Sequence, residues 1–121
     1  MSFAYLASPY SPVGITDREH AWRIREERFQ AACKAAAALM RKGAVVFCPI
    51  AMSHPVESYF DAPQDGEFWK RQDEPYLNVC ERLIVLTLPG WGLSNGVAHE
   101  ISVAAARGIP IEYVTPESLD E

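Results

Sequence analysis

The sequence predicts an α/β protein built on a parallel sheet, and three observations carry that prediction. Short apolar runs recur at 3–7, 44–50, 83–88 and 109–114. Segments with helical spacing separate them, so strand and helix alternate along the chain. The runs are mostly apolar rather than alternating, with Thr87 and Glu112 as polar members, which is the signature of strands buried on both faces. The order β-α-β-α-β-α-β within 121 residues therefore predicts a single domain over 1–121. Its architecture is Rossmann-like (flavodoxin-like), a four- to five-stranded parallel sheet flanked by helices.

The elements follow in order. "FAYLA" is the first strand, and "SPYSPVG" supplies turn chemistry after it. Thr16 with Glu19 three residues on reads as a capping box for a long helix that reaches about Lys42. Trp22, Phe29, Cys33, Ala36 and Met40 lie along one side of that helix, and Gly43 stops it. "AVVFCPI" at 44–50 reads as the second strand, followed by a long irregular segment at 51–66. A helical stretch spans about Glu67 to Glu81, with Pro75 either kinking it or opening a second short helix. "LIVLTL" is the clearest strand. Ser94 then caps a helix that ends near Gly108, "IPIEYV" is the last strand, and Thr115 opens a further cap.

Composition narrows the function. With 49% hydrophobic and 22% charged residues the chain is globular in type. A formal charge of −5 argues against a nucleic-acid polymer as partner, because phosphate backbones need a basic face. A small anion remains open to it, since a helix N-terminus binds one without many basic side chains. "MSFAYLASPY" has neither a basic start nor a long apolar run, so no signal peptide is expected. No window approaches the ~18 apolar residues of a membrane span. Cys33, Cys48 and Cys80 lack paired spacing and read as thiols of a reducing compartment, with the cytoplasm the expected location. His20, His54 and His99 are scattered, so no metal site is expected.

In such sheets ligands bind beyond the carboxyl ends of the strands, where the loops at 8–16, 49–66 and 89–94 converge. The helix fed by the last of these holds an anomaly. Val97, Ile101, Ala104 and Ala105 would face a core, yet Glu100 falls within or beside that stripe. A carboxylate there needs a partner, a proton or a cavity. Gly96 lies four residues earlier on the same face and opens space toward which Glu100 leans. The N-cap Ser94, with Asn95 and Gly96, offers backbone N–H groups to a ligand. The other reading is a capped helix whose glutamate snorkels from a half-buried edge.

Other candidates carry paired readings too. Asp73 is either a second carboxylate at this edge or a cap for a helix starting at Pro75. Tyr10 enters the pocket from the first loop, where its hydroxyl can orient a carboxylate, or it is an ordinary loop tyrosine. His54 contacts substrate or packs a turn, and Trp69 and Trp91 stack on a base or pack the rim. Arg18, near a helix start, is placed to meet an anion within an otherwise solvated charged face.

"YLASPYS", Asp73 ahead of the third strand, and "SNGVAHEI" leading into "AAARGIPI" resemble the nucleoside 2-deoxyribosyltransferase-like superfamily. "MSHP" and "LPGW" make the chain look most like a branch of that group without assigned function. The resemblance spans nearly the whole chain. It implies N-glycosidic chemistry on deoxynucleosides or their 5′-monophosphates, with the superfamily's Gly-x-x-x-Glu nucleophile falling on Gly96 and Glu100. It implies Asp73 as the acid beside the leaving base, and Ser8 in the first substrate-contacting loop. Ser94 stands where base-exchanging members carry an aspartate, and a serine accepts a 5′-phosphate that a carboxylate repels. The resemblance implies no cofactor. It also implies a homodimer or higher assembly; Trp22, Tyr59 and Phe60 read as candidate contacts for one, or as ordinarily buried aromatics. A protein that binds a nucleotide without turning it over is the competing reading.

Overall fold

A computed structural model describes residues 2–120. Its strands are β1 (Ala4–Ala7), β2 (Val46–Phe47), β3 (Arg82–Leu86) and β4 (Ile111–Val114). Its helices are α1 (Arg18–Arg41), α2 (Pro49–Glu57), α3 (Gly66–Leu77) and α4 (Asn95–Arg107), with 3₁₀ turns at Trp91–Leu93 and Glu117–Leu119. The strands form one all-parallel, four-stranded sheet in the order β2-β1-β3-β4. Strand order reverses between β1 and β3, the position beside which ligands of open α/β sheets bind.

Alternate residues of each strand point to opposite faces, and both faces are covered. Leu6, Ile84 and Leu86 pack with Ala32, Ala35, Ala36 and Leu39 of α1 and with Ile50 of α2. Tyr5, Ala7, Leu83 and Val85 pack with Leu77 of α3 and with Val97 and Ala104 of α4. Burying each large aliphatic side chain of this kind contributes about 1.5–3 kcal/mol. Among the described residues no helix is long and apolar enough to cross a membrane.

Several boundaries differ from the sequence reading. The N-cap of α1 is Asp17, whose carboxylate accepts from the His20 amide at 3.1 Å, not Thr16. A charged acceptor at the positive end of a helix outcompetes a neutral one a residue away. The inward face of α1 is its alanine-rich side. Trp22 and Met40, on the side that also carries Phe29 and Cys33, are 46% and 52% exposed. Small side chains let the helix seat close to the sheet, which turns the larger ones outward.

The second strand is only two residues long, because Pro49 starts a helix in the first-turn position where its fixed φ is favourable. The segment expected to be irregular at 51–66 is therefore α2 up to Glu57, with loop only beyond it. Pro55 and the continuous apolar run "AVVFCPI" hid that helix. In α3, Asp65 is the N-cap and Pro75 lies inside the last turns, so no second helix begins there. Ser94 and Gly108 bound α4 as read, with the Ser94 hydroxyl accepting from the Val97 amide at 3.2 Å.

Candidate active site

One side chain from α1 spans the carboxyl ends of β1 and β3. Arg28 donates from Nη1 to the Tyr10 carbonyl at 3.2 Å and from Nη2 to the Pro89 carbonyl at 3.0 Å. It thereby ties the loop after β1 to the loop after β3. Gly90 makes that reach possible: its φ is +89°, and a Cβ there would stand 2.8 Å from Arg28 Nη2. Any side chain at 90 would be both strained and in the way.

Glu100 lies in the second turn of α4, half-buried, and its anomaly has a physical answer. The Tyr5 hydroxyl of β1 donates to Glu100 Oε2 at 2.5 Å. Burial nevertheless raises the Glu100 carboxyl to about 8; the Tyr5 hydrogen bond opposes the rise and the charge of Asp73 adds to it. Asp73, half-buried on α3, is itself raised to about 6 by burial. Tyr5 is pushed far above its ordinary value, by burial first and then by Glu100 and Asp73, so it stays a donor. The stripe around Glu100 is narrower than read, with Val97 and Ala104 buried, Ile101 half-buried and Ala105 exposed.

Asp73 caps nothing, because α3 runs unbroken from Gly66 to Leu77 around it. The bland reading of that residue therefore falls away. His99 on α4 and Glu74 on α3, the neighbours of Glu100 and Asp73, face each other at 3.3 Å and tie the two helices together.

At the start of α4, Asn95 and Gly96 are exposed and Ser94 is half-buried. A Cβ on Gly96 would meet only Ser94 Oγ, at 3.8 Å, which is ordinary contact. Nothing within the chain requires a glycine there. Ser8, just past β1, is buried, and among the described residues its Oγ is the one buried side-chain oxygen or nitrogen without a hydrogen-bond partner. Such a group is costly unless something bonds to it.

The remaining candidates have other partners. The Tyr10 hydroxyl meets His54 Nδ1 at 2.6 Å, not a carboxylate of this pair. His54 is buried on α2 rather than displayed on a loop. Trp69 is half-buried, edge-on to Phe60 at 6.1 Å and Phe68 at 5.0 Å. Trp91 tilts against Tyr113 at 5.6 Å. Arg18 is exposed at the first position of α1.

Sequence reasoning missed Tyr5, the hydroxyl that holds Glu100. The signal was a polar tip inside the buried strand "AYLA", where a phenol must find a partner. It also missed Arg28, whose role rests on carbonyls that leave no trace in residue type. No group of three or more His, Cys, Asp or Glu among the described residues is placed to hold a metal ion.

Fold and site together define a class: a doubly wound parallel α/β protein with two carboxyls and a tyrosine gathered beside the strand-order switch. Within that class the chain belongs to the family described as a domain of unknown function, DUF1937, whose model matches residues 2–115. No curated protein matches it.

Proposed function

We propose that the protein cleaves or transfers the N-glycosidic bond of a deoxynucleoside 5′-monophosphate or a deoxynucleoside, with Glu100 as nucleophile. The observation that carries this reading is the Tyr5–Glu100 hydrogen bond beside Asp73. With one carboxyl near 8 and the other near 6, the pair holds a single proton around neutral pH. The higher value places that proton mainly on Glu100, so the reactive form is the tautomer in which it has passed to Asp73: one carboxylate and one carboxylic acid, as a retaining glycosidase uses.

Glu100 Oε1, the oxygen not bonded to Tyr5, attacks the anomeric carbon of the sugar. The carbon–nitrogen bond breaks, its electron pair goes to the base, and Asp73 gives that base its proton. A glycosyl ester on Glu100 results. Asp73, now ionised, takes a proton from water as its oxygen attacks the same carbon, which releases the sugar and restores Glu100. In a transferase a second base takes the place of water. This chemistry calls for no metal or organic cofactor.

Three features support a phosphorylated sugar. Ser94 at a helix N-terminus carries no charge that would repel phosphate, Gly96 leaves the backbone N–H groups approachable, and the Ser8 hydroxyl awaits a partner. Asn95 borders the same helix start. The free thiols of Cys33, Cys48 and Cys80 fit a cytoplasmic setting. Exposure of Trp22 (46%), Tyr59 (90%) and Phe60 (38%) supports a homo-oligomer built across that surface.

The test is base release from a panel of deoxynucleosides and their 5′-monophosphates, comparing the native protein with Glu100→Ala. Release that disappears in the variant is the expected result. Binding without turnover of any member would replace this reading with a nucleotide-binding protein.

A further inference from the structure

We infer that His54 is a positioning residue that acts through Tyr10 on the loop after β1, an inference that rests on Glu100 as the reacting group. The "MSHP" motif that carries it is not used by the chemistry above. Its imidazole is 5% exposed, and both ring nitrogens are occupied: Nε2 faces Glu26 Oε2 at 2.6 Å and Nδ1 faces the Tyr10 hydroxyl at 2.6 Å. No ring atom is left to bond a substrate.

The ring is also fixed in its plane. Trp22 and Phe29 of α1 stack on it, with centroids 4.9 Å and 4.4 Å away. A carboxylate only accepts, so Nε2 donates to Glu26; in the neutral ring Nδ1 is then the acceptor, and the Tyr10 hydroxyl donates to it. Burial, with the nearby charge of Glu57, keeps the Tyr10 phenol well above its ordinary range, so it serves as a donor and not as a nucleophile. The chain Glu26–His54–Tyr10 therefore joins α1, α2 and the first loop by directional bonds.

Other ties meet on the same loop. Arg28 holds the Tyr10 carbonyl at 3.2 Å, Arg25 lies 5.9 Å over the Tyr10 ring, and Arg25 Nε donates to Ser11 Oγ at 3.3 Å. Ser8, with its unpartnered buried hydroxyl, stands two residues before Tyr10. By holding Tyr10, His54 sets where that hydroxyl meets a ligand. Loss of the hold is a binding defect, not a chemical one.

Two variants test this. His54→Phe keeps the aromatic stack and removes both hydrogen bonds, while Tyr10→Phe removes one oxygen. Amide exchange over residues 8–13 should rise about tenfold in each, with α4 unchanged. KM for base release should rise roughly 5- to 50-fold while kcat stays within about threefold. The double variant should be no worse than the poorer single one, because the two residues act as a unit. His54→Asn, whose side-chain oxygen can accept from Tyr10, should recover part of the loss.

Unchanged exchange and KM would overturn the inference. So would a fall in kcat like that of Glu100→Gln at constant KM, since that means contact with the reacting atoms. If His54→Phe does not fold, Tyr10→Phe decides alone. If the native protein releases no base from any substrate, the glycosidase reading fails, and the exchange data still decide whether His54 orders the loop.

Discussion

The Tyr5 hydroxyl stands 2.5 Å from Glu100 Oε2, joining an inner strand of the sheet to the second turn of α4. It is the one bond that favours the ionised form of Glu100 against burial and the charge of Asp73. Removing it with Tyr5→Phe should raise the Glu100 carboxyl further and leave less nucleophile at neutral pH. The expected loss in kcat/KM at pH 7 is roughly 10- to 100-fold, with the alkaline limb of the pH profile moved to higher pH. A profile identical to that of the native protein would show that Tyr5 does not govern Glu100.

The native profile itself should be bell-shaped. Below about 6 both carboxyls carry protons and no nucleophile exists; above about 8 both are ionised and no acid remains. Measuring kcat/KM from pH 4.5 to 9.5 on one nucleotide checks both limbs.

Stability should follow a related course. Glu100 is raised from 4.5 to about 8 and Asp73 from 3.8 to about 6 on folding. Between the unfolded and folded values the unfolded chain has lost protons that the native protein retains, so stability falls as pH rises through about 4 to 8. Glu100→Gln removes the larger part of that slope. Thermal melts should find the variant close to native at pH 4.5 and more stable by roughly 1–3 kcal/mol at pH 8.

Gly96→Ala separates ligand binding from folding. Its new methyl group meets only Ser94 Oγ, at 3.8 Å, and alanine is the better helix former. Melting should therefore rise by up to ~1 kcal/mol equivalent while KM for nucleotide worsens about tenfold. Unchanged KM would mean that no ligand approaches this turn.

Ser94→Asp keeps the cap, since aspartate caps as well as serine. It places a negative charge where the phosphate is proposed to sit. Preference for monophosphate over nucleoside should fall by about 10-fold or more, measured as a ratio of kcat/KM values. A ratio that does not move would locate the phosphate elsewhere.

Much of this was legible in the residues. Continuous apolar strands and intervening helical spacing declared a parallel sheet, and Ser94 and Gly108 bounded α4 because cap chemistry is local. Glu100 stood out for a local reason as well, as a carboxylate beside a buried stripe. What escaped depended on partners far away in sequence. Tyr5 and Glu100 are 95 residues apart, and nothing near Tyr5 hints at a carboxylate. Asp73 looked like a cap because Pro75 looked like a helix start, and only packing against the rest of the chain keeps α3 continuous through it. His54 looked available because its segment looked irregular. Once α2 forms, the same ring is enclosed by Trp22 and Phe29.

The brevity of β2 has a bearing on how the molecule comes apart. It pairs with β1 at two positions, whereas β3 pairs at four with each of its neighbours. Cooperative strength is thus concentrated in β1, β3, β4 and the helix between the last two, which carries Glu100. The β2–α2 flank, with His54 on it, is therefore held by side-chain packing and bonds to α1 more than by its ladder. Glu100 and its tyrosine are anchored where the ladder is longest, while the wall that steadies Tyr10 stands where it is shortest.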